Sequence, residues 1–109
     1  MSSAPATASE PAFGDDLTFT RQAPRAVGGV WVIGLVAGHR FQALVFPEHA
    51  DTPEYELGAS RISKLWVQRL ADRMVVFNWD RGPDVPAEDP AVRAVVRFLT
   101  AELADRVFG

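Results

Sequence analysis

The sequence reads as an α+β domain: an antiparallel sheet of four or five strands, made of two hairpins, with one C-terminal helix packed on one face. Three observations point there. Residues 30–46 and 61–79 each hold two runs rich in β-branched and aromatic side chains around a short turn. Residues 90–107 repeat apolar side chains at helical spacing. The chain is 109 residues long, 48% apolar and 23% charged, which suffices for one core and leaves little room for a second.

Along the chain, residues 1–14 are expected as a disordered tail and 15–109 as a single domain. Small residues and proline dominate the start, MSSAPATASEPA, and bury too little apolar surface to offset ordering entropy. That stretch has no basic region and no apolar run of the signal-peptide kind. A first strand is expected around Leu17–Gln22, alternating through Leu17, Phe19 and Arg21, with residues 25–29 linking it onward. Val30–Ala37 is apolar on both faces, Trp31, Ile33 and Leu35 on one and Val30, Val32 and Val36 on the other, as in a strand paired centrally. Gly38-His39 fits a two-residue turn, and Arg40–Phe46 runs back with Phe41, Ala43 and Val45 alternating against Arg40 and Gln42. Pro47–Gly58 is loop by its chemistry. Arg61–Arg69 and Met74–Trp79 form the second hairpin around Leu70–Arg73. Asp80–Asp89, with Pro83 and Pro86, reads as loop. Asp89 suits a helix N-cap and Pro90 the first helical position. Val92, Val95, Val96, Leu99, Leu103 and Val107 then make one stripe.

The segments R-I-S-K-L-W (Arg61–Trp66) and N-W-D-R-G (Asn78–Gly82), in this order and ahead of a terminal helix, resemble an uncharacterised family of small bacterial and phage-encoded proteins. The resemblance covers roughly residues 30–105. It departs at Pro83, where an aromatic is expected. It implies a compact domain and an accessory or mobile-element role, and it brings no activity with it.

Composition excludes several function classes. There is no cysteine, hence no disulfide, thiolate metal site or cysteine nucleophile. That absence fits a reducing cytoplasm, where the protein is expected. No apolar run approaches the ~20 residues of a membrane span, so no membrane partner is expected. The net charge of −3 is too acidic for a generic polyanion binder. No phosphate-binding glycine loop or nucleophile–base order is present, so no enzymatic role and no cofactor are expected. Glu48, His49, Asp51, Glu54 and Glu56 match no metal-site spacing and read as a solvated acidic loop, and no metal is expected. His39, at a hairpin tip, lacks a visible carboxylate partner.

The distinctive surface is Arg61, Lys64, Trp66, Arg69, Arg73, Trp79 and Arg81. Residues 61–81 hold five basic and two acidic side chains, a local +3. Arginine interleaved with aromatics is how sheets hold single-stranded nucleic acid. The competing reading packs Trp66 and Trp79, with Phe77, beneath the helix. Alternation complicates that reading, because Lys64 and Trp66 share a face. Asp80-Arg81-Gly82 reads as a structural turn with Gly82 left-handed. One helix covers one sheet face, so the apolar residues of the other face need a partner. The expected function is a non-enzymatic interaction module, homodimeric through a sheet face or edge or bound to an unidentified protein partner. Single-stranded nucleic-acid binding is the alternative.

Overall fold

Sequential antiparallel pairing organises the molecule. The computed structural model describes residues 16–80 and 82–108. Six strands follow one another as a meander: β1 (Thr18–Pro24), β2 (Val30–Val36), β3 (His39–Val45), β4 (Ile62–Arg69), β5 (Val75–Asp80) and β6 (Pro83–Val85). Each is paired antiparallel with the next. One helix, α1 (Pro90–Phe108), closes the sequence of elements. The α+β architecture and both hairpins are as expected, but the sheet has six strands rather than four or five. The added strand is β6, from the stretch expected as loop. Three residues are too few to show a period, and Pro83 reads as a breaker. At a sheet edge, however, its missing N–H forfeits no ladder bond. Gly82, at φ 144°, makes the reversal rather than the left-handed turn expected, and the Asp80 N–H donates to its carbonyl at 3.0 Å. The tail expected over residues 1–14 lies outside the described residues.

The alternation of β2–β5 is aligned strand to strand by the ladder, so the sheet has two sharply different faces. One carries Val32, Val36, Phe41, Ala43, Val45, Leu65, Val67, Phe77 and Trp79, all buried. Against it α1 lays Val92, Val95, Leu99 and Leu103, each at most 1% exposed. The helix starts as its sequence dictates. Asp89 Oδ1 accepts the Ala91 N–H at 2.8 Å, and the Asp89 carbonyl accepts the Arg93 N–H at 2.9 Å. Two ion pairs mark its direction: Arg69 to Asp89 at 3.7 Å beside its first turn, and Arg61 to Asp105 at 2.6 Å near its end. Because Arg61 precedes β4 and Arg69 ends it, α1 runs antiparallel to β4.

Two local features correct simple alternation. In β1 the register shifts between Phe19 and Arg21, so Phe19 pairs with Gly34 of the covered face and Arg21 with Ile33 of the other. Leu17, Phe19 and Arg21 therefore do not share a side, as expected from spacing; the bulge at Thr20, whose hydroxyl donates to the Ile33 carbonyl at 3.1 Å, turns Arg21 over. In the first hairpin the turn is Ala37-Gly38, not Gly38-His39. Both residues have positive φ, 51° and 74°, the geometry of a type I′ turn. Alanine there is disfavoured by about 1–2 kcal/mol, and its N–H is held by the Asp16 carboxylate. His39 consequently opens β3 as a buried residue. Its Nδ1–H donates to the Ala37 carbonyl at 2.7 Å, while Nε2 is buried without a hydrogen-bond partner. Gly34 is required for packing: a Cβ there would lie 2.6 Å from the Thr18 carbonyl oxygen and 2.7 Å from the Phe41 ring.

Candidate functional site

No described element covers the second face of the sheet. Pairing lines its side chains into three rows across the strands. The middle row is Arg21, Ile33, Gln42, Trp66 and Asn78. On one side lies the row Ala23, Trp31, Leu44, Lys64 and Asp80; on the other, Thr18, Leu35, Arg40, Gln68 and Val75. Trp31, Ile33, Leu35 and Trp66 are only half-buried here, whereas their neighbours along the chain point into the core. Leu44 is an exception at 2% exposure. Gly29 brings the backbone close to both it and the Phe46 ring, which roof that corner. A cleft of about 300 Å³ opens between Trp31 and Trp66, with Gln42, Lys64, Asn78 and Asp80 around it. The Arg40 guanidinium sits 5.8 Å from the centre of the Trp66 ring, a cation–π distance. Lys64 Nζ lies 3.6 Å from the Asp80 carboxylate.

The basic and aromatic residues singled out from the sequence do not gather on one surface. Lys64 and Trp66 are on the open face. Trp79, 8% exposed, belongs with Phe77 to the core cluster on the opposite side, although it also borders the cleft. Arg61 and Arg69 are committed to the covered side. Arg61 donates to the Pro47 carbonyl at 2.9 Å and to Asp105; Arg69 donates to Asp72 at 2.8 Å. Arg73 is exposed in the β4–β5 turn at φ 61°, where its carbonyl accepts the Gln68 amide at 3.1 Å. Arg81 lies outside the described residues. The Arg69 guanidinium and then the Met74 N–H hold the Asp72 carboxyl below its usual range. What joins Lys64 and Trp66 instead comes from β2 and β3: Trp31, Ile33, Leu35, Arg40 and Gln42. The two-sided apolar character of 30–36 was visible in the sequence. Its alignment with Trp66 depends on register, which no single-strand pattern shows.

The acidic loop is organised differently from a solvated run. Glu56 is buried, its carboxylate accepting from His49 Nδ1 at 2.7 Å, Ala50 N–H at 2.9 Å and Arg61 N–H at 2.6 Å. Burial pushes its pKa up. The bonds from His49, Ala50 and Arg61 outweigh that and hold it below the ordinary carboxylate value. Glu56 thus clamps the loop where Arg61 turns left-handed at φ 64°, just before β4. Among the described residues no three metal-ligating side chains converge, and no helix is long and apolar enough to cross a membrane. A groove of about 570 Å³ adjoins this loop, walled by Arg25, Val27, Gly28, Gly29, Phe46 and Tyr55. Its cations are already engaged: Arg25 with the Gly28 carbonyl at 2.8 Å and over the Phe46 ring at 5.8 Å, Arg61 with Asp105, Lys64 with Asp80.

Residues 30–104, from the first residue of β2 into the last turns of α1, match a family model described as a domain of unknown function (DUF7678). No curated protein matches the chain, and no solved structure matches it.

Proposed function

The chain belongs to the DUF7678 family, a domain of unknown function, and we propose that it is a non-enzymatic interaction module that associates with a second copy of itself through the open face of its sheet. One observation carries this reading: Trp31, Ile33 and Leu35 of β2 and, one strand beyond Gln42, Trp66 of β4 lie on the same face, which no described element covers. Side chains of this size gain roughly 1.5–3 kcal/mol each on going from full exposure to full burial, part of which these half-buried ones already have, and an apolar sheet face is stabilised when another layer covers it. Arg40, Lys64, Gln68 and Asn78 border them and Gln42 lies between Ile33 and Trp66, a mixed composition usual in a reversible contact. Sedimentation equilibrium at about 10–100 μM, a range that detects micromolar affinity, is expected to show a monomer–dimer equilibrium. Ile33→Glu is expected to abolish it. A wild-type chain that stays monomeric throughout removes the proposal.

A second reading, single-stranded nucleic acid on the same face, is favoured by the Arg40–Trp66 stack beside Lys64. It requires tryptophan-fluorescence quenching by an oligonucleotide that weakens as salt rises. Unchanged fluorescence at low salt eliminates it.

A further inference from the structure

Resting on the self-association reading above, we propose a definite geometry for the pair: two copies meet face to face about a two-fold axis that runs across the strands, over the row Arg21, Ile33, Gln42, Trp66 and Asn78. Such an axis places every residue of that row against its own copy and exchanges the two outer rows strand by strand. Ile33 then meets the partner's Ile33, Trp66 the partner's Trp66, and Trp31 the partner's Leu35. Lys64 meets Gln68. The stem of Arg40 covers Leu44, which is already buried within its own chain.

The alternatives are worse. An axis along the strands between β3 and β4 puts Trp31 against Asp80, Ile33 against Asn78 and Trp66 against Gln42, so that three of the four half-buried apolar side chains meet polar groups. An axis along β2 stacks Trp31, Ile33 and Leu35 on their own copies but leaves Trp66 beyond the partner's β1 edge. Only the axis across the strands gives all four half-buried apolar side chains an apolar partner.

Size sets the strength. Five strands spaced about 4.8 Å apart and three rows about 6.8 Å apart give a footprint of roughly 24 Å by 20 Å. That is about 1,000 Å² over both copies, at the lower limit for a specific contact, so the pair is weak and reversible. Charge sets its salt dependence. Arg21 faces its own copy at the rim, and this repulsion is screened by salt. Dimerisation therefore strengthens as salt rises, opposite to a polyanion complex.

The chain contains no cysteine, so single introduced thiols are unambiguous probes. A bis-maleimide of about 8 Å reach suits thiols on sheets stacked about 10 Å apart. With Ile33→Cys or Gln42→Cys, each variant is expected to cross-link to itself at tens of micromolar, near the affinity expected. Trp31→Cys and Leu35→Cys are expected to cross-link only when the two variants are mixed. Efficient cross-linking of Trp31→Cys with itself overturns the axis while leaving the dimer intact. A dimer by sedimentation with no cross-link at either Ile33→Cys or Gln42→Cys overturns the geometry as well. A monomer by sedimentation, with no cross-link at any position, overturns the self-association reading on which the geometry rests. Gln42→Cys removes no apolar side chain, so it reports even where the substitution at Ile33 weakens the pair. Association that weakens with salt also counts against this axis.

Discussion

The two faces of one sheet differ more than any two segments of the chain. On the covered face, nine strand residues and four helix residues are close to inaccessible, and polar atoms are confined to its edges. On the open face, equally large side chains sit half-buried among amides and charges. The same strands supply both. A side chain's fate is set by which parity of the ladder it occupies and by the helix α1 laid against the face that β3 shares with its neighbours. Stability is therefore concentrated on one side, and the interaction role proposed above falls to the other.

Substitutions on the two sides should separate those roles. The largest effect is expected for Leu99→Ala, which empties a fully buried site between α1 and the sheet. Urea unfolding should show a loss of about 2–5 kcal/mol, against well under half of that for Ile33→Ala measured at concentrations where the chain is monomeric. Equal losses would erase the distinction between the faces. Gly34→Ala should come next, at about 1–3 kcal/mol, because its Cβ has no room beside Thr18 and Phe41.

The Glu56 clamp sharpens the comparison from outside the sheet. Its carboxyl is held below the ordinary value in the folded chain. Its contribution is thus complete above the unfolded-state pKa and fades as pH falls through the depressed folded one. Acid titration of stability should show this loss, and Glu56→Gln should flatten it. Asp89→Ala, which removes the cap of α1, is expected to cost about 1 kcal/mol. The smallest effect is expected for Asp105→Asn. Its carboxylate is 73% exposed despite the 2.6 Å approach of Arg61, so the change in unfolding free energy should fall within roughly 0–1 kcal/mol.

Local chemistry made much of this architecture readable. Asp89-Pro90 and the stripe from Val92 to Val107 define the helix, and the runs at 30–36 and 62–69 define their strands. What escaped reading depends on contacts between distant residues. Pro83 is tolerated because β6 is an edge, which only the completed sheet shows. Ala37 takes a left-handed turn because the pairing of Val36 with His39 demands it. Trp66 and Trp79, expected to act or pack together, point to opposite faces because they lie on opposite parities of β4 and β5. The candidate surface was accordingly half legible: Lys64 and Trp66 from their own segment, their companions only from the register of β2 and β3.

The sheet's borders have a further consequence. Thr20 distorts one margin, Pro24 ends it, and Pro83 occupies the other. Neither margin offers an unbroken ribbon of amide donors and acceptors to an incoming chain. Lateral templating of the kind that builds fibrils is blocked on both flanks. The half-buried tryptophans of the open face are thus flanked by margins that do not extend the sheet.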